Sequence, residues 1–245
     1  MDIETTPEPV EVIQRISPWD GEAWIREETA SITAHKSWKA ETKEKKIAGL
    51  ADQVAEREQQ HYRKIQHSSC LDPLYSRVLC ITLSSEPGQC KIVTMEDEAS
   101  LLTWWWREMV PGAVAQTQRF ITWNGYEFDL PFLLARTRIL DLTHEITTTT
   151  DEGHNEFSYK TILDRGGYWA ENLFMDLRQV WAGKNRFAKG TLDQVAKAMG
   201  HVGKSHPSGE LVWQWWQKDR DRAREYIRTE MQAIRDVAES MGVYF

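Results

Sequence analysis

Asn124-Gly125-Tyr126-Glu127-Phe128-Asp129-Leu130-Pro131 is the segment on which the reading of this chain turns. Before it, Phe120 to Trp123 has the short apolar, β-branched character of a strand; after it, Pro131 to Leu140 has the spacing of a helix. Asp129 therefore falls at a strand-to-helix turn, a place where functional side chains commonly sit. Capping the helix is one use for it, since Asp accepts readily from first-turn amides and Pro suits that turn. Capping gives no reason for Asn124, Gly125 and Phe128 to stand together.

Two further groups of acids lie at the ends of the chain. Asp2-Ile3-Glu4 places two carboxylates two apart, hence on one face of a strand with Ile3 on the other. Two acids so placed repel each other unless a cation lies between them; an exposed acidic terminus is the alternative. The last helix, from about Asp219 to Met241, carries its apolar stripe at Ala223, Tyr226, Ile227, Ile234, Val237 and Met241, and Glu230 falls within it, one turn from Tyr226 and from Ile234. A carboxylate bound for the core needs a partner, either an arginine or a metal ion.

Between these points the spacing predicts one long amphipathic helix from Ser37 to about His67, then a hairpin of strands Arg77–Ser85 and Cys90–Thr94 turning at Pro87-Gly88. A helix from Glu96 to Met109 should stop at Pro111-Gly112. Thr143 to Gly167 has little periodicity and reads as an irregular loop. Thr191-Leu192-Asp193-Gln194 is a capping box opening a helix that Gly200 closes, and helices from about Glu210 to Gln217 and Asp219 to Met241 end the chain. Asp176 has the place of a helix cap. With no repeat or linker, the expectation is one α/β domain over 1–245, with a charged helical insertion at about 36–70 and an irregular loop at about 142–168.

The 245 residues, 41% of them apolar, can fill a core, and no run of 18 apolar residues is present to span a bilayer. Three cysteines without a CxxC pair imply neither a disulfide framework nor a zinc knuckle, so a reducing, cytoplasmic setting is expected, which the resemblance described below places in a bacterial or phage-infected cell. The net charge of −7 excludes a protein that coats nucleic acid by bulk electrostatics. An enzyme gathering carboxylates around divalent ions remains compatible with it. The 12 tryptophans fit core packing or, alternatively, base stacking. The histidines share no ligand spacing and read as surface residues.

Taken in order, Asp2-Ile3-Glu4-Thr5, then Asn124-Gly125-x-x-Phe128-Asp129-Leu130-Pro131, then Tyr226 four residues before an acid resemble the three exonuclease motifs of the DEDD superfamily, in its tyrosine branch. The chain is similar to the proofreading exonuclease domain of family-B DNA polymerases and to stand-alone phage-type relatives. Leu71 to Val78, Phe174 to Leu177, Gly190 to Asp193, Gly200, Lys204 and Gly209 also fit that pattern.

The resemblance implies a ribonuclease-H-like fold, a mixed central sheet of about five strands flanked by helices, and 3'-5' removal of nucleotides from a single-stranded DNA end in replication, repair or phage DNA metabolism. It implies two divalent ions, Mg²⁺ or Mn²⁺, with Asp2 bridging them, Glu4 and Glu230 completing the shell of the first ion and Asp129 holding the second through water. Oxygen ligands suit such hard cations. Tyr226 would orient the attacking water, and Thr5, Asn124 and Phe128 would bind the substrate. A DNA polymerase or replisome component is an implied partner. Lys189 and Lys204 would meet phosphates or be ordinary solvated lysines. A ribonuclease with the same acids, a non-cutting strand- or polymerase-binding module, and a structural protein using its tryptophans are the other readings.

Two departures mark this chain. Glu230 stands where the branch normally has aspartate; Asp236, followed by Val237, is the other candidate, although it lies well round the helix from the apolar stripe. Only Met1 precedes Asp2, where the family has several apolar residues, so a short apolar run is expected to continue in frame upstream.

Overall fold

The computed structural model describes residues 1–86, 88–116, 118–146, 173–183, 190–206 and 211–243, apart from the side chains of His67 and Val114. Three strands form one sheet in the order β1 (Asp2–Pro7), β2 (Ser76–Leu83), β3 (Lys91–Val93), all antiparallel. The expected hairpin is β2–β3. A second sheet pairs β4 (Phe120–Thr122) in parallel with β5 (Phe174–Asp176). The mixed α/β expectation holds, but the five strands of the described residues divide three and two rather than forming one hydrogen-bonded sheet. The cause lies on the free side of β1. Its Ile3 N–H donates to the Asp129 carboxylate at 3.1 Å, so that this amide serves a side chain, while the Met1 ammonium reaches β4 by donating to Ile121 O at 2.7 Å.

Four helices separate β1 from β2: α1 (Val10–Ile16), α2 (Gly21–Ala34), α3 (Ala40–Ala48) and α4 (Leu50–Ser68). The single helix expected over Ser37–His67 is therefore two, broken at Gly49, and the helical layer they belong to begins at Val10. Asp20 opens α2 by accepting from Ala23 N. The layer closes on itself through Tyr62, whose hydroxyl accepts from Trp19 N, and through Trp19 against Trp24 and His61.

After β3, α5 (Glu98–Trp104) does not stop at Pro111-Gly112 as expected. It widens into a π-turn over Trp105–Met109 and continues as α6 (Val110–Ala115). Pro111 has no N–H to give to the carbonyl four residues back, and the wider turn lets the chain pass it. Trp105 and Trp106 are fully buried on this turn, in a core with Ile3, Val78, Ile81, Phe120, Leu133 and Phe174. They pack edge to face, and Trp106 Nε1 donates to Thr137 Oγ1 at 2.8 Å, so this pair serves packing.

Helix α7 runs over Asp129–Ile139, followed by a 3₁₀ turn over Thr143–Ile146; the rest of the stretch expected to be irregular, with Lys189 and Gly209, lies outside the described residues. Helices α8 (Leu177–Ala182), α9 (Leu192–Ala198), α10 (Val212–Lys218) and α11 (Arg220–Ser240) complete the chain. The Thr191–Gln194 capping box is present in full. A second core joins α9 and α11 under β4, and a third sets Val212, Ala223, Tyr226 and Ile227 against Cys80 of β2. Among the described residues no helix is long and apolar enough to cross a membrane.

Candidate metal centre

β1 and α11 build the site. The β1–β2 register pairs Asp2 with Thr82 and Glu4 with Cys80, so both acids leave the face opposite to Ile3, and a register shift follows between Glu4 and Thr5. Helix α11 lays Tyr226 and Glu230, one turn apart, against that face. Carboxylate oxygens of Asp2, Glu4 and Glu230 all lie within 4.8 Å of one another.

Such crowding has an electrostatic signature. Burial, followed by the charges of Glu230 and Asp129, pushes the Asp2 carboxyl well above the usual carboxylate range. Burial and then Glu230 and Asp2 do the same to Glu4. Glu4 Oε1 is fully buried without a hydrogen-bond partner, as is the Tyr226 hydroxyl, which feels the Glu230 carboxylate without completing a hydrogen bond to it. Burial and the same acids raise the Tyr226 phenol. Orphaned oxygens inside a cluster of acids fit a hard divalent cation, which would take up both the charge and the lone pairs.

Asp129 stands beside this cluster. It is the first residue of α7 rather than its cap, and its Oδ1 accepts the Ile3 amide that lies between the two acids of β1. Burial raises its carboxyl to about 7. Asp236, the other candidate third acid, is turned away: it accepts from Gln232 Nε2 at 2.7 Å and lies 3.7 Å from His201 Nδ1.

Lys204 is not the solvated lysine that the sequence allowed. Its Nζ donates to Glu230 Oε1 at 2.5 Å, both side chains being largely buried at 12% and 15% exposed, and lies 5.1 Å from the Tyr226 ring centre. Asp193 Oδ1 holds Lys204 N at 3.0 Å. Gly203 makes the approach possible, with φ +78 and no room for a Cβ, which would lie 2.5 Å from Asp193 Oδ1.

The expected substrate residues are placed as follows. Phe128 is half-buried against Phe132, with ring centres 5.5 Å apart. Asn124 is half-buried in the left-handed conformation, φ 66, at the end of β4. Gly125 follows it because a Cβ there would meet Thr122 Oγ1 at 2.2 Å. Thr5 is buried, and its hydroxyl donates to Cys70 O, which ties β1 to the chain just after α4. Two contacts escaped the sequence reading: Lys204 on Glu230, and Arg178 on Asn124. Gly203 beside Lys204 was the available signal for the first.

Carboxylates gathered from β1 and α11 of a mixed α/β fold could hold divalent ions of the kind that assist phosphodiester hydrolysis. Residues 69–234 match the family of predicted 3'-5' exonucleases related to the exonuclease domain of PolB. The chain belongs to that family, an enzyme family that is metal-dependent in general and acts on nucleic acid, and whose fold is ribonuclease-H-like. No curated protein matches the chain. Asp2, Glu4 and α1–α4 precede the matched residues.

Proposed function

We propose that this chain is a metal-dependent 3'-5' exonuclease that removes nucleotides from single-stranded DNA ends, with Asp2, Glu4, Asp129 and Glu230 as its metal ligands. The observation that carries this reading is the convergence of Asp2, Glu4 and Glu230 oxygens within 4.8 Å, with Glu4 Oε1 buried and unpartnered. Two ions, Mg²⁺ or Mn²⁺, suit the all-oxygen donor set. When bound, they supply Lewis acidity that activates water and stabilises the leaving 3' oxygen of an in-line displacement.

The chain's own residues do the remaining work. Tyr226 keeps its proton, because its phenol is pushed upward by burial and by neighbouring acids, so it acts as a hydrogen-bonding guide for the attacking water and not as a base. Lys204 holds Glu230 in place and lowers the negative charge that a phosphate must approach. Asn124 and Phe128 receive the terminal nucleotides, Asn124 by hydrogen bonding and Phe128 by presenting a ring to a base. Thr5 steadies β1 by donating to Cys70 O and has its hydroxyl oxygen left to accept from the substrate. In this reading the two small sheets act side by side as one platform, with Asp129 at the β1 edge. DNA replication, repair or phage DNA metabolism is the setting, with a DNA polymerase or replisome component as partner.

The test is a time course on 5'-labelled and 3'-labelled single strands with Mg²⁺, Mn²⁺ or EDTA. The 5'-labelled strand should shorten progressively and the 3'-labelled strand should release its label at once, in metal only. Faster cutting of a matched RNA strand would make the chain a ribonuclease.

A further inference from the structure

Asp176, at the end of β5, is 3% exposed and lies in register with Thr122 of β4. Its Oδ1 accepts from Asn124 N at 2.8 Å and from Arg178 N at 2.9 Å, and its Oδ2 from Tyr126 N at 3.2 Å. A buried carboxylate needs such donors. Capping α8 explains only the bond from Arg178. The other two come from the turn that leaves β4, and they hold it where Asn124 is left-handed, a conformation that Asn adopts more readily than other residues with a Cβ. Tyr126 adds a bond from its hydroxyl to Phe174 O at 2.9 Å, on the same strand as Asp176.

Arg178, 35% exposed, then reaches back over this turn, and its Nη1 donates to both Asn124 Oδ1 and Glu127 Oε2. A guanidinium only donates. The oxygen of the Asn124 amide must therefore face Arg178, and its NH₂ group faces the other way. Among the described residues Nδ2 has no acceptor.

We propose that Asp176 and Arg178 are positioning residues that fix Asn124 as a hydrogen-bond donor to an acceptor atom of the terminal nucleotide. This rests on the exonuclease reading and specifies how that site receives its substrate. Acceptors on a nucleotide are its phosphate and sugar oxygens and, on the minor-groove edge, pyrimidine O2 and purine N3, which occur in all four nucleotides. A donor alone at Asn124 thus holds a strand end without selecting a base. Were the amide free to flip, it would present an oxygen half the time and favour bases that offer a donor.

The experiment uses the full chain and a deoxythymidine strand with Mn²⁺, comparing wild type with Asp176→Asn, Arg178→Met, Arg178→Lys and Asn124→Asp, with calorimetric Mn²⁺ titration of each. Losing the clamp should raise KM about tenfold in Asp176→Asn and Arg178→Met, the scale of one hydrogen bond, while kcat and Mn²⁺ affinity stay within about twofold. Arg178→Lys, which can still donate to Oδ1, should recover part of the loss. Asn124→Asp keeps its partner but has no N–H to offer, and should match Arg178→Met. Because Arg178 is partly exposed, its variants keep the test open even where Asp176→Asn fails to fold. Wild-type KM in Arg178→Met or in Asn124→Asp, in enzymes that still cut, would overturn the proposal alone; a wild type that cuts no strand would overturn the exonuclease reading with it.

Discussion

Lys204 Nζ and Glu230 Oε1 lie 2.5 Å apart beside the cluster of three carboxylates, so the chain itself places a positive charge within the site. A divalent ion entering there would meet a lysine already paired with one of its proposed ligands. Lys204→Met should therefore bind Mn²⁺ more tightly than wild type in a calorimetric titration, because a like charge has been removed, and the metal-free protein should unfold at lower temperature, because Glu230 has lost its partner. Equal or weaker Mn²⁺ binding would show that the pair does not oppose the ion.

Glu230 takes its place in the cluster with a side chain one methylene longer than the aspartate that the sequence resemblance leads us to expect. Removing its charge should cost more than changing its length. Glu230→Gln should lose Mn²⁺ affinity and fall by at least about 10²-fold in rate, whereas Glu230→Asp should retain or raise activity. Assays of both variants decide the point, and full activity in Glu230→Gln would remove this residue from the site.

Asp129 gives the metal-free protein an unusual pH dependence. Its folded carboxyl titrates at about 7, raised by burial, while an unfolded aspartate titrates at about 3.9. Between these values the native state keeps a proton that the unfolded chain releases, so this group's contribution to stability falls as pH rises from about 4 to about 7. Urea unfolding in EDTA should show wild type losing stability relative to Asp129→Asn across that window. A stability difference independent of pH would contradict the shift.

Arg136 ties the site's supports together from the far end of α7. Its guanidinium, buried, bonds Glu8 at 2.5 Å, Glu98 at 2.6 Å and Pro73 O at 2.8 Å, while Glu98 also accepts from Val78 N of β2 at 2.6 Å. Arg136→Met leaves two buried carboxylates without their cation, and should destabilise the fold by about 3–5 kcal/mol in urea unfolding. A loss below about 1 kcal/mol would mean that water reaches both acids.

What the sequence made legible was local. The strand–turn–helix around Asp129 and the acid within the stripe of α11 could be read because each signal lies within a dozen residues. The contact of Lys204 with Glu230 spans 26 positions, and that of Asp176 with Asn124 spans 52, so no periodicity announces them. Helices α1 and α2 escaped notice because Pro9, Pro18 and Gly21 punctuate them and few of their residues are buried. The π-turn at Trp105–Met109 has the same residues as an α-helix; only Pro111 beyond it forces the wider turn.

The most direct test of the central claim is the degradation of a 5'-labelled single DNA strand by wild type and by Asp2→Asn and Glu4→Gln variants, with Mn²⁺ and with EDTA. A ladder shortening from the 3' end in wild type with Mn²⁺, and an intact strand in EDTA and in both variants, is the result the metal centre predicts. Shortening that persists in EDTA, or in either variant at the wild-type rate, would contradict it.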